Sequence, residues 1–164
     1  MYTSFIGIYV RPGQAGHLEK VLAPMAEVVE MYEMSGPFDL LIKVSAVSRR
    51  GIEALAGNIL QLEGVEKTFN MLCIGEKRSG HARDTPVVAF LGLSIDAGKE
   101  HDVELALLSG DDVPETYTMI YPYGLLIKAG CERERDIAAI SSRMLHIEGV
   151  RACDEFIVAR RTKP

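Results

Sequence analysis

A stretch near the start of this chain comes back 85 positions later. "FIGIYV" from Phe5 returns as "FLGLSI" from Phe90, "VEMYEM" from Val29 as "PETYTM" from Pro114, and "LEGV" from Leu62 as "IEGV" from Ile147; the differences 90 − 5, 114 − 29 and 147 − 62 are all 85. Three separated matches with one offset and no insertion describe a tandem duplication, with copies at 1–79 and 86–164. Residues 80–85 are the linker, inside the polar, charged and glycine-containing run "EKRSGHARDT". Whatever one copy folds into, the other must also fold into.

"FIGIYV" and "FLGLSI" have the length and apolar content of strands, the first bounded by Pro12–Gly13. Leu18, Val21, Leu22 and Met25 then recur at i, i+3, i+4 and i+7, one face of a helix, with Val103, Ala106 and Leu107 in the matching places. Pro24 and Pro114 end these helices, because proline cannot continue the ladder. "VVEMYEMS" and "FDLLIKV" predict two strands joined by a tight "SGP" turn. A second helix follows, with Ile52, Leu55, Ala56, Ile59 and Leu60 on one face, matched by Ile137, Ile140, Met144 and Leu145. Gly64 and Gly149 break it, and a last strand runs through "TFNMLCI" or "DEFIVA".

The predicted class is therefore α+β: two ferredoxin-like βαββαβ modules in tandem, each a four-stranded sheet with both helices on one face. A sheet with its other face in water should alternate apolar and polar residues. "FIGIYV", "FLGLSI" and "LLIK" are instead nearly continuous apolar runs, so both faces call for burial. The expected arrangement packs the two sheets face to face as an intrachain pseudo-dimer, of the dimeric α+β barrel type.

Net charge is −5, which argues against direct nucleic-acid binding, since phosphate affinity comes mainly from Lys and Arg. Cys73, Cys131 and Cys153 form no CxxC pair and leave an odd count, as reduced thiols of a cytoplasmic protein do. No basic leader precedes the first apolar run, and that run is too short for a membrane span. His17, His81, His101 and His146 are scattered without a metal-ligand spacing, and no nucleophile motif or phosphate loop occurs, so no metal and no cofactor are expected.

"AEVVEMYEMSGPFDLLIKV", with the later "LEGV", resembles the ligand-binding half of the leucine-responsive/AsnC regulators, the RAM domain: Val28 is followed by Gly36 and Asp39, then by Leu62, Gly64 and Val65. The resemblance covers all of copy one and, more weakly, copy two. It implies an effector-sensing module that binds a small molecule, typically an amino acid, between assembled subunits. Members usually carry a helix-turn-helix ahead of this domain, and a first strand at about Phe5 leaves no room for one. The chain is therefore expected to assemble with itself or with helix-turn-helix relatives.

Gly36 lets the backbone turn sharply and approach a ligand, and Asp39 can accept hydrogen bonds from an ammonium group. Copy two has Tyr121 and Gly124 at these places, so the expected site lies on copy one only. Tyr32, which alternates with Met34 on the preceding strand, is a candidate wall of the pocket. A plain hairpin turn capped by Asp39 is the bland alternative. "VRPGQAGHLEKV" adds Arg11 and Gly13, at a turn that opens a helix and resembles the amino-acid-binding turn of ACT domains. That turn supports a competing reading, a tandem ACT-like regulatory subunit of a metabolic enzyme. A small ferredoxin-like enzyme ranks below both: the inward positions are aliphatic, and Lys43 with Lys128 is the only repeated charge on the central strands, read as a strand-end charge. The chain is accordingly not expected to be an enzyme.

Overall fold

A computed structural model describes residues 1–80 and 85–163. It divides into two compact units, Met1–Cys73 together with the chain from Val158 on, and Ile74–Ile157. Most of the expected linker, His81 included, lies outside the described residues.

The first unit contains β1 (Tyr2–Val10), α1 (Ala15–Leu22), β2 (Val28–Gly36), β3 (Leu40–Ala46), α2 (Arg49–Leu60) and β4 (Val65–Arg78) as far as Cys73. Strand β1 lies antiparallel between β3 and β4, with Ile6 opposite Ile42 and Asn70, and β2 flanks β3 with Tyr32 opposite Leu41. The final stretch of the chain, from Val158, is hydrogen-bonded beside β2 as a fifth strand. This is the expected ferredoxin-like α+β layout. Leu18 and Leu22 of α1 and Ile52, Leu55 and Ile59 of α2 pack against Ile6, Ile8, Met31, Leu40, Ile42 and Val44. Residues alternate between faces of a strand, so Phe5, Tyr32, Leu41 and Lys43 belong to the opposite face, and they are buried too. Helix α1 ends at Leu22, just before Pro24; α2 starts where the Ser48 hydroxyl accepts the Gly51 N–H at 3.0 Å.

The second unit repeats the order: β5 (Val87–Ile95), α3 (Glu100–Leu108), β6 (Glu115–Met119), β7 (Leu125–Gly130), a 3-10 turn at Glu134–Asp136, α4 (Ile137–Leu145) and β8 (Val150–Lys163) as far as Ile157. Its strands run β8, β5, β7, β6, with the chain from Ile74 to Arg78 beside β6. Leu91, Leu93, Val103, Leu107, Leu125, Ile127, Ile140 and Met144 fill its core. Backbone detail repeats at the same offset of 85. Gly13 and Gly98 have φ of 80° and 84°, Gly64 and Gly149 have 94° and 99°, and cis bonds precede Pro37 and Pro122.

Several expectations need correction. Leu60 and Leu145 are 44% and 48% exposed: each lies in the last turn, a residue beyond the stripe set by Ile52–Leu55–Ile59 or Ile137–Ile140–Met144. On α3, Ala106 is exposed and Glu104 is buried instead, because its carboxylate accepts from Thr116 Oγ1 at 2.7 Å and Lys77 Nζ at 3.1 Å. The last strands, β4 and β8, have 14 residues each, well beyond "TFNMLCI" and "DEFIVA", because each serves both units.

Candidate functional site

The turn after β2 is built by three residues with different tasks. Gly36 has φ +136°, a region that side chains rarely adopt, and nothing lies within 4 Å of where its Cβ would stand, so the demand is on the backbone alone. Phe38 folds back over Gly7, where a Cβ would sit 2.5 Å from the ring, and meets Tyr9 edge-on and Phe69 stacked, both at 5.6 Å. The Asp39 N–H donates to Ile8 O at 3.0 Å, and its Oδ2 accepts from the Val10 N–H at 2.7 Å. The β1–β4 register shifts between Tyr9 and Val10, so the carboxylate holds the strand at its irregular point. Asp39 itself remains exposed, and a further donor can reach it.

The structure thus brings Gly36 and Asp39 together with the end of β1, where Arg11 is exposed and donates its N–H to Gly64 O at 2.8 Å. Lys67 adds an ammonium 4.4 Å from the Tyr9 ring centre. Gly13 lies two residues after Arg11, in a turn whose positive φ recurs at Gly98, so its conformation belongs to both units. Tyr32 is placed elsewhere: it is fully buried, its hydroxyl donates to Glu30 Oε2 at 2.7 Å, and Arg161 stands 5.6 Å from its ring centre.

Tyr32 belongs to a buried polar group that sequence reasoning missed. Lys43 Nζ lies 3.8 Å from Glu30 Oε1, with both side chains under 10% exposed. Eighty-five residues on, Lys128 Nζ lies 2.8 Å from Glu115 Oε2, which also accepts the Tyr117 hydroxyl. Lys43 and Lys128 are therefore not strand-end charges. They are interior cations with a carboxylate at hand, as burial of a charge requires. The signal was present, since Glu30 and Glu115 share the repeat offset and alternate with Tyr32 and Tyr117.

Two of the three thiols, Cys131 and Cys153, are shifted away from the thiolate form. Burial pushes Cys153 up to about 11, and Cys131 is raised first by burial. Among the described residues no group of three His, Cys, Asp or Glu could hold a metal ion, and no helix is long and apolar enough to cross a membrane.

The first unit is thus a two-layer α+β domain with an exposed acid, Asp39, at the turn after β2. Residues 3–81 match the model of the Lrp/AsnC ligand binding domain. The HTH-type transcriptional regulator FL11 of Pyrococcus furiosus is 28% identical over 71 residues, 43% of this chain and 47% of FL11. The chain thus spans about half the length of the curated relatives it matches. Among solved structures, the siroheme decarboxylase NirDL, in co-complex with an iron-uroporphyrin III analogue, gives a TM-score of 0.78 at 10% identity, over 98% of this chain and 72% of that one. A mutant chlorite dismutase from Candidatus Nitrospira defluvii gives 0.63 at 12% identity, over 97% and 90%. These likenesses concern the fold alone. They still correct the expectation that the chain is not an enzyme, because a scaffold shared with enzymes over nearly its whole length gives no ground for excluding catalysis.

Proposed function

We propose that the chain is an effector-sensing module of the Lrp/AsnC type, which binds a small amino-acid-like molecule at the β2–β3 turn of its first unit. The observation that carries this reading is the exposed Asp39 carboxylate, held beside the Gly36 turn and the Arg11 backbone inside the segment that matches the family. Asp39 would take the ligand's ammonium group, while Arg11 and Lys67 offer charge for its carboxylate. Tyr121 and Gly124 replace Gly36 and Asp39 in the second unit, which supports one such site per chain.

The fuller reading has residues 1–79 and 86–164 as copies of one duplicated segment around a linker at 80–85, their apolar sheet faces closing on each other. The burial of Phe5, Phe90, Leu41 and Leu126 supports it. Such a module would act in the cytoplasm, assembled with further copies of itself or with relatives that carry a helix-turn-helix.

The test is calorimetric titration of the amino acids into the wild-type chain and Asp39→Asn. Asparagine keeps an acceptor for the Val10 N–H and removes the charge, so affinity should fall at least tenfold with the fold intact. Equal affinity in the two proteins would remove the reading. An iron porphyrin belongs in the same screen, because NirDL holds an iron-uroporphyrin III analogue. A saturable shift of its absorption band by this chain would favour an enzymatic role over sensing.

A further inference from the structure

The turn after β6 loses more than the Gly and the acid of its counterpart. Ile120 and Tyr121 are 57% and 75% exposed, and the first unit has Ser35 and Gly36 at those places. Ile74, at the start of the segment beside β6, is 65% exposed where the first unit has Ala159. The Ser79 N–H donates to Pro114 O at 2.9 Å, and a Cβ at Gly75 would stand 3.6 Å from Thr118 Cβ. That antiparallel register sets Ile74 abreast of Met119, the last residue of β6, so the three residues stand at one end of the strand pair. The first unit builds the matching strand pair with small residues at all three places, so the fold does not ask for this apolarity. Together the three expose roughly 400 Å², the size of the largest apolar patch on a typical monomer and one that commonly serves an interaction.

The charges beside the patch say what kind of surface it fits. Alternate residues of a strand share a face, so Glu76 and Arg78 follow Ile74 on its side of the sheet. Arg78 lies 3.8 Å from Glu76 and 3.6 Å from Glu115 with its side chain 73% exposed, which leaves the guanidinium in reach of a further carboxylate. A second copy turned about a two-fold axis would set the Arg78 of each chain against the Glu76 of the other, a self-complementary contact. The first unit has Arg161 and Lys163 at the matching places, two cations that would repel their own copies. Apolarity and charge thus single out the same face of the second unit.

We propose that Ile74, Ile120 and Tyr121 form the centre of a contact between two copies of this chain, with Glu76 and Arg78 at its rim. The patch is about half of the roughly 800 Å² that each partner gives to a standard interface, so with its rim it suits a reversible, concentration-dependent dimer. This gives the self-assembly of the proposed function a surface; it rests on that assembly and not on ligand binding at Asp39.

The test is sedimentation velocity of the wild-type chain from low to high micromolar concentration. The mass should rise from that of one chain toward that of two. Ile120→Ser/Tyr121→Gly and Ile74→Ala, which install the residues of the first unit, should each weaken the dimer at least tenfold with melting temperatures near that of the wild type. Glu76→Arg, which copies the first unit's pair of cations, should weaken it as well. Asp39→Asn should dimerise as the wild type does. A wild type that stays monomeric would overturn both this surface and the self-assembly. A dimer indifferent to Ile120→Ser/Tyr121→Gly and to Ile74→Ala would overturn the surface alone.

Discussion

The Asp39 carboxylate accepts the Val10 N–H at 2.7 Å, at the point where β1 falls out of step with β4. One side chain therefore carries a structural bond and the charge proposed for ligand recognition. Asp39→Ala should cost about 1 kcal/mol of stability, the usual worth of an exposed side chain-to-backbone bond, and abolish ligand binding. Asp39→Asn should lose little stability and still lose binding. Urea unfolding set beside calorimetry checks both, and equal stability losses would show that charge holds the strand end.

Gly7 and Phe38 should be energetically coupled. A Cβ at Gly7 would stand 2.5 Å from the Phe38 ring, so Gly7→Ala is expected to destabilise by about 1–3 kcal/mol through overpacking. In a Phe38→Leu background the same change should cost less. A double-mutant cycle measures the difference, and strict additivity would contradict the contact.

The interior pair Glu30–Lys43 makes a sharper forecast. Lys43→Met alone leaves a buried carboxylate without its cation and should destabilise by roughly 3–5 kcal/mol. Adding Glu30→Gln, which still accepts the Tyr32 hydroxyl, should recover much of that loss. Denaturant unfolding of the three variants reads it directly, and a double variant less stable than Lys43→Met would refute the pairing.

Cys153 sets a pH dependence. Its thiol titrates at about 11 in the folded chain against 9.0 for an unhindered one. Because the folded value is the higher, the stability it contributes is fully present below pH 9. As pH rises from about 9 to about 11, the unfolded chain loses its proton first and that stability is lost. Cys153→Ala should have a flatter stability profile than wild type across this window. Parallel profiles would show that the thiol is not shielded.

Much of this was legible in the sequence because repetition checks itself. The offset of 85 located both helix pairs, the β2–β3 turn and the glycines that end α2 and α4. Leu60 was misplaced because apolarity alone does not say which side of the last turn a residue takes. Glu104 and Glu30 were missed for a related reason: a carboxylate reads as surface until its partner is known, and Lys77 is 27 residues away while Lys43 is on another strand. At the candidate site, the turn chemistry of Gly36 and Asp39 was readable from residue type. The bond from Val10 N–H was not, because it depends on a register shift that no local pattern records.

Strands β4 and β8 each divide their residues between the two units, and this bears on what a severed half could do. A polypeptide stopped at residue 79 would retain four of the five strands of the first sheet and leave the margin of β2 open. Its own tail at 74–78 stands 85 positions before 159–163, the segment that closes that margin in the intact chain. Two copies of such a fragment could therefore lend each other the missing strand.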